Sequence, residues 1–508
     1  MAAALHVIGE SKKEQGDLYQ TLVATGKKNF ETRFTKEILS NKFLESFKSC
    51  LTEDFPQGLE TKEAKDDKEP QGEQPLRIGI IAPWFGENIP GGAENELKTV
   101  GLNLKKAGME VEFLTTTVKQ FVSDWSVNYY PEGTEYIWGI PVMRFPVRKR
   151  DTAAFDRINA RLMMGEQVSY EEEEVFLREM VNSPALYEYL REAREKYDFF
   201  LLAPYLLGTT YRSVCEIYDQ AVLIPCFHEE AYAHMEHFKE EYKKVAGMIF
   251  NAYPEEKLAR SLYDLSHVTT EVMGIGVDTE ITGDAKRFRE KYNLQDPFLL
   301  YAGRKDAGKG VPELFKDFSD FKKHVNDLGL NASALLEAQK LKLVLIGGGS
   351  VEIPADIRED VLDLGFVDVQ DKFDAYAAAV ALCQLSKHES FSFVIMESWL
   401  MKRPVIVHTD CDVTKDFVER FDGGYAITTS EEFQKAVASL LAHPDAASTM
   451  GENGCRHVHE NFSWDVIVEK YKKFFKRLKE EKRPVQVDIK RILANFDETI
   501  ADEKKRMW

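Results

Sequence analysis

The chain has 508 residues, 44% of them hydrophobic and 11% aromatic, enough for two large or three ordinary domains with sizeable cores. That composition argues against disorder, collagen-like repeats and coiled-coil rods. A formal charge of −19 speaks against nucleic-acid binding, which needs a surplus of Lys and Arg facing phosphates; a nucleotide ligand needs only two or three well-placed cations. The six cysteines (Cys50, Cys215, Cys226, Cys383, Cys411, Cys455) are scattered, with no CxxC pair, so neither a zinc site nor a disulfide framework is expected and a reducing compartment fits. The opening MAAALHVIGESKKEQ has neither the basic segment nor the long apolar stretch of a secretory leader, and no run of 18 apolar residues occurs; a cytoplasmic location is expected.

Residues 1–54 read as a charged helical appendage, with apolar spacing in FTKEILSNKFLESFKSCL. Residues 55–75 have alternating charge, Gly and Pro punctuation and almost no apolar side chains, so a linker is expected there. From residue 76 the character changes: LRIGIIAPWF reads as a strand, ENIPGGAENE as a glycine-containing loop, LKTVGLNLKKAG as a helix and MEVEFLTTT as the next strand. That rhythm describes a βαβ unit with a parallel sheet. Further strands are expected at GIPVMRFPV, DFFLLAPYLLG, AVLIPCF, GMIFNAY and SHVTTEVM, with a long charged helical insertion near 151–197 whose glutamate run, YEEEEVFLREM, reads as a solvated face. A second βα series begins near Pro297 with FLLYAGR and continues through LKLVLIGGGS, VLDLGFV, AVALCQLS and RPVIVHTD, closing in helices over 430–480. Two doubly wound α/β domains in tandem follow, at 76–280 and 281–480 with a tail at 481–508, and ligands are expected beyond the carboxyl ends of the strands.

Four segments could carry chemistry. In HESFSFVIMESW (388–399) Glu389 and Glu397 stand eight residues apart; with a helix beginning near Ser392, Glu389 precedes it and Glu397 lies about one and a half turns inside. The backbone N–H groups around Phe391–Val394 then face an anion at the positive end of the helix dipole, although E-x7-E also recurs by chance in ordinary amphipathic helices. In AGRKDAGKG (302–310), Arg304 and Lys309 sit in a glycine-rich turn after a strand, where two cations can neutralise a diphosphate; a plain basic turn is the alternative. Gly91 and Gly92, in a loop between strand and helix, allow close backbone approach to a phosphate or sugar without matching GxGxxG or a P-loop. His228 follows a buried strand and is placed to hydrogen-bond a substrate, while its neighbours Glu229 and Glu230 read as solvated.

These segments, in this order, resemble the retaining GT-B glycosyltransferases of family 4. The resemblance runs from about Ile78 to Lys479, through PGGAE (90–94), His228, GIGVD (274–278), GRKDAGKG (303–310), LIGGGS (345–350), LGFV (364–367), ESFSFVIME (389–397) and RPVIV (403–407). DFFLLAPYLLGTTY followed by IPCFHEEAYAH also looks like a bacterial subset acting on surface polysaccharides. The resemblance implies two Rossmann-like domains facing across a cleft, the first on the acceptor side and the second holding a nucleotide-diphosphate-sugar donor. It assigns Arg304 and Lys309 to the donor diphosphate, Glu397 to the ribose, Glu389 to the transferred sugar and His228 to the reacting carbon. The backbone of Ser390, Phe391, Ser392 and Phe393 would cradle the phosphates, the main chain near Val367 would hold the base, and Gly91 and Gly92 would close over the donor. Two departures stand out: the family usually has Gly where this chain has Ser392, and the two glycines and glutamate usual after RPVIV are replaced by HTDCDVTKDFVE.

The implied reaction is sugar transfer to an acceptor hydroxyl, of a glycan or lipid-linked glycan, with retention and without a metal or other cofactor. Three rivals stand beside it: a metal-dependent transferase using Asp410 and Asp412, a nucleotide-sugar epimerase of the same architecture, and a scaffold that binds nucleotide sugar with weakened turnover. RFPVRKR (144–150) is a candidate for weak peripheral contact with anionic lipid at the inner face of the membrane, although four charges in a short loop are commonly plain surface.

Overall fold

The computed structural model describes residues 74–87, 89 and 91–481. The helical appendage expected at 1–54, the linker up to residue 73 and the tail from 482 onward lie outside the described residues.

The apolar runs form strands β1 (Arg77–Ala82), β2 (Glu110–Thr116), β3 (Gly133–Ile137), β4 (Ile140–Phe145), β5 (Phe199–Leu202), β6 (Ala221–Leu223), β7 (Gly247–Phe250) and β8 (Thr269–Val272). They make one sheet in the order β3-β4-β2-β1-β5-β6-β7-β8. A second sheet has β9 (Phe298–Ala302), β10 (Lys342–Ile346), β11 (Val361–Asp363), β12 (Ala381–Gln384), β13 (Val405–His408) and β14 (Gly424–Ile427), ordered β11-β10-β9-β12-β13-β14. Every pairing is parallel except β3 with β4. In each sheet the chain winds outward on one side, returns to the centre and winds outward on the other. The crevice between β9 and β12 is therefore a topological switch point, where loops leave in opposite directions and open space for a ligand.

Helices cover both faces. On the first sheet they are α1 (Gly92–Lys106), α2 (Thr152–Met163), α3 (Tyr170–Arg178), α4 (Pro184–Ala193), α5 (Gly208–Ile217), α6 (Glu236–Tyr242) and α7 (Tyr253–Leu262). The second series has α8 (Ala285–Lys291), α9 (Val311–His324), α10 (Ala332–Lys340), α11 (Val369–Ala378), α12 (Phe393–Leu400), α13 (Asp412–Phe421), α14 (Ser430–Ala442) and α15 (Pro444–Phe462). The last helix, α16 (Trp464–Glu480), lies inside the range expected for the second domain but packs on the first sheet. Its buried face, Ile467, Tyr471, Phe474, Phe475 and Leu478, repeats at helical spacing. The Phe475 ring stacks on Phe199 at 5.4 Å, and Lys479 pairs with Asp198 at 2.8 Å. Among the described residues, two segments thus join the sheets: the one after β8 and the α15–α16 junction, which meet where Val277 N–H donates to the Phe462 carbonyl at 2.8 Å.

Two expectations are corrected. The helical stretch at 151–197 is three helices, because Ser169 builds a capping box with Glu172 and Ser183 caps a helix starting at Pro184. Its glutamate run is not wholly solvated: Glu173 is buried, accepting the His237 Nδ1 proton at 2.9 Å and the N–H groups of Glu236 and His237 at 3.1 Å. Burial alone would lower the His237 pKa, but bonds to Glu173 and Glu174 raise it to about 9, so a charged imidazole ties α3 to α6. In RFPVRKR, Arg144 is buried against Glu135 at 2.5 Å, Arg148 meets Glu179 at 3.3 Å and Arg150 donates to the Glu179 carbonyl at 2.9 Å. These three cations are paired within the fold, and Lys149 between them is exposed. Among the described residues no helix is long and apolar enough to cross a membrane.

Removing the α16 anchor should loosen the first sheet. Phe475→Ala leaves a fully buried cavity beside Phe199 and should cost about 3–5 kcal/mol in urea denaturation followed by circular dichroism.

Candidate functional site

The loops after β9 and β12 flank the switch point, and there the structure brings two expected residues together. Lys309 closes a short turn after β9 whose N-cap, Asp306, accepts the Lys309 N–H at 3.1 Å. Gly310 follows in the left-handed region (φ 72°), and a Cβ there would lie 2.5 Å from the Leu385 carbonyl, so the turn sits hard against the β12 exit. The Lys309 Nζ lies 2.6 Å from Glu389 Oε1. Gln384 at the end of β12 donates to the same oxygen at 2.9 Å, fixing the carboxylate from below. Gln384 escaped the sequence reading because it looks like the last residue of a buried strand.

The helix expected near Ser392 is α12, with Ser392 as its N-cap at φ 94°, ψ 87°. This is left-handed backbone that an L side chain enters at a cost of roughly 1–3 kcal/mol. The glycine geometry of the turn is therefore kept although the residue is serine, and the first-turn amides of α12, which no helix can pair internally, remain at its head. Ser392 is buried and its hydroxyl has no hydrogen-bond partner. Phe391 is buried edge-on to Phe417 and Phe462, anchoring the turn, while Ser390 and Phe393 are partly buried. Glu397, in the second turn, is bound by Lys372 Nζ at 2.6 Å and the Tyr376 hydroxyl at 2.9 Å, both from α11. Lys372 lies 25 residues away and carries no local signal of that pairing.

Arg304 is not brought to this pair. Its side chain is 76% exposed and its Nε lies 3.5 Å from Asp306. Its neighbour Lys305 is instead buried against Asp363 at 2.5 Å. Val367 is partly buried beyond the end of β11, next to Phe366, which is 87% exposed beside Gly348. Gly91 caps α1 at φ 148°, where a Cβ would collide with Glu94; Gly92 faces open space.

A cavity of about 310 Å³ separates the two sheets' loops. Phe227, His228, Glu229, Pro254, Glu255 and Leu258 line it from the first, and Lys387–Glu389 and Asp410–Val413 from the second. Of the residues expected at the donor site, His228 and Glu389 are in that lining, as are Asp410 and Asp412 of the metal-dependent rival. The His228 ring stands 6.3 Å from that of His388, a neighbour of Glu389 that the sequence reading passed over. Burial lowers the His228 pKa to about 4 in spite of Glu389, so its imidazole is neutral near pH 7 and can both donate and accept. Glu229 is exposed and paired with His234 at 2.7 Å, whereas Glu230, expected in solvent, accepts the Tyr205 hydroxyl at 2.7 Å, and burial raises its pKa. Asp410 is held by Lys387 at 2.9 Å.

Behind the cavity lies a buried polar cluster. Glu96 of α1 contacts Cys226 Sγ at 3.7 Å and accepts from Asn251 Nδ2 at 3.3 Å. Glu255 of α7 accepts the N–H groups of Phe227 at 2.8 Å and Asn251 at 2.6 Å. Burial lifts both carboxyls to about 8, against the hydrogen bonds that pull them down.

Residues 283–457 match the family model of Glycosyl transferases group 1. The chain is 25% identical over 179 residues to alpha-D-kanosaminyltransferase of Streptomyces kanamyceticus, covering 35% of this chain and 45% of that protein. It is 26% identical over 236 residues to D-inositol 3-phosphate glycosyltransferase of Kribbella flavida, covering 41% and 51%. The chain thus spans about half the length of these curated relatives. Among solved structures, sucrose-phosphate synthase from Thermosynechococcus elongatus superposes with a TM-score of 0.55 at 17% identity, over 79% of this chain and 99% of that one. Anabaena HepE in complex with UDP and glucose does so with 0.53 at 14% identity, over 79% and 100%. The fold is GT-B.

Two outcomes follow. Ser392→Gly keeps the turn without the side-chain strain and should raise stability by about 1 kcal/mol in denaturant titration. The folded chain holds a proton on Glu96 between its ordinary 4.5 and about 8 that the unfolded chain has released, so this group's contribution is present at low pH and lost as pH rises through that window. Glu96→Gln should therefore gain stability relative to wild type across that interval, read from denaturation midpoints at successive pH values.

Proposed function

We propose that the chain transfers a sugar from a nucleotide-diphosphate-sugar donor to an acceptor hydroxyl with retention of anomeric configuration and no requirement for a metal. The observation that carries this reading is the Lys309–Glu389 contact of 2.6 Å at the switch point beside the head of α12. In the absence of substrate each charge compensates the other. An arriving diphosphate takes the ammonium and the α12 amides, which offset the negative charge that grows on the leaving group. The Glu389 oxygens are then free to accept sugar hydroxyls, with Gln384 holding the carboxylate's orientation.

In this reading the bond from the anomeric carbon to the diphosphate breaks while the acceptor oxygen bonds to that carbon on the same face, and the acceptor proton passes to the departing phosphate oxygen. Glu389 positions the sugar rather than attacking it. Neutral His228 approaches the transferred sugar from the first sheet, Glu397 takes the ribose, the backbone near Val367 takes the base, and Gly91 and Gly92 close over the donor. Arg304, exposed on its turn, swings onto the diphosphate when it binds. Closure of the two loop sets excludes water and limits hydrolysis. The acceptor is a glycan or lipid-linked glycan, consistent with a cytoplasmic enzyme of polysaccharide synthesis in family 4.

The test is a panel of nucleotide sugars, led by UDP-sugars because the similar Anabaena HepE structure is a complex with UDP and glucose. One member should raise the melting temperature, and Lys309→Ala should weaken that binding about tenfold or more. The product's anomeric proton coupling should report the donor's configuration, with turnover unaffected by EDTA. Inverted product, or an epimerised sugar from donor alone, would contradict the proposal.

A further inference from the structure

The backbone just before His228 is strained, and the strain has a visible cause. After β6 the chain turns at Cys226 with φ 57°, a left-handed conformation that only Gly, Asn and Asp enter readily. No glycine relieves it. The loop is held on both sides: Tyr205 N–H donates to the Pro225 carbonyl at 3.0 Å, and the Phe227 N–H is taken by Glu255 Oε1 at 2.8 Å. The second Glu255 oxygen takes the Asn251 N–H at 2.6 Å, so one carboxyl ties the exit of β6 to the exit of β7. Glu255 is 1% exposed on the first turn of α7. From the other side, Glu96 meets the Cys226 thiol and the Asn251 amide, and Phe227 stacks on Tyr263 at 5.1 Å.

Sealing a carboxyl from water is costly unless its oxygens are paired. Here both are spent on the backbone of two loops and neither on the sheet, so what they stabilise is loop geometry. The next residue after the clamped Phe227 is His228, which enters the cavity toward His388 and Glu389. We propose that Glu255 is a positioning residue: by clamping the amides of Phe227 and Asn251 it enforces the left-handed turn at Cys226 and thereby aims His228 into the cleft. Glu96 backs the same turn through Cys226. The kinetic consequence rests on the transferase reading; the orientation of His228 does not.

The experiment is Glu255→Gln in the same chain, which keeps the side chain's size but sets an amide NH2, which cannot accept, against one of the two clamped backbone N–H groups. Histidine-selective NMR titration reads the position of His228 without any substrate. Its titration midpoint, near 4 in wild type, should rise toward the ordinary histidine range as the ring leaves its enclosed site. With an active donor–acceptor pair, kcat should fall about tenfold to a hundredfold while the donor KM stays within about threefold. The same substitution in a His228→Ala background should cost little more, because the effect acts through the ring. If Glu255→Gln does not fold, Glu255→Asp, which keeps a carboxyl but draws it back by one methylene from the Phe227 and Asn251 N–H groups, supplies the variant for the same titration. An unmoved His228 midpoint in a folded variant would overturn the proposal, as would an equal kcat loss with and without His228. A moved midpoint in a chain that transfers no sugar from any donor would uphold it and count against the transferase reading instead.

Discussion

The ion pair between Lys309 and Glu389 is the contact on which the rest of the site depends. It joins the loops after β9 and β12, the two strands between which the second sheet reverses its winding direction. A parallel sheet exposes its strand ends to ligand there, and this chain fills the spot with one cation, one anion and the head of a helix. The two charges compensate each other in this structure; in the proposed reading an arriving diphosphate takes the ammonium and leaves the carboxylate to accept hydroxyls. Gln384 beneath and Gly310 alongside hold the pair in register. Lys372 and Tyr376 do the same for Glu397 one and a half turns into the helix.

The first sheet contributes differently. It presents a neutral histidine on a strained loop, backed by two buried carboxyls, across a cavity from Glu389. The cost of that strain and burial is met by packing elsewhere, including α16, which leaves the second sheet to cover the first and brings Tyr471 near Glu96 and Cys226. Among the described residues the lobes are joined by two chain crossings, the segment after β8 and the α15–α16 junction. The net charge of −19 fits a molecule that concentrates its useful cations at a few strand ends and spends the rest on structural pairs, as Arg144, Arg148 and Arg150 do.

Much of this was legible before any coordinates. Strongly apolar runs such as GMIF and KLVLI announced their strands, and the order of glycine-rich loops announced two doubly wound units. β3 was missed because its residues, GTEYI, are nearly all exposed and its hairpin turns on Trp138-Gly139, both left-handed, rather than on an Asn-Gly pair. β14 was missed because GYAI is short, glycine-led and only half-buried. At the site, Glu389, Glu397, Lys309 and His228 could be named because each stands in a local pattern. Lys372, His388, Glu96 and Glu255 could not, since their meaning lies in partners tens of residues away; Gln384, five residues from Glu389, was hidden as the last residue of a buried strand. Arg304 shows the converse: the right residue type at a strand end, yet turned to solvent. Ser392 is a case where the residue departs from pattern while the backbone does not.

The most direct measurement is a crystal structure of the full-length chain soaked with a nucleoside diphosphate. The account predicts the diphosphate against Lys309 Nζ and the amides of Ser390–Phe393, with the contact between Lys309 and Glu389 opened. A diphosphate bound away from both loops, with that contact intact, would contradict it.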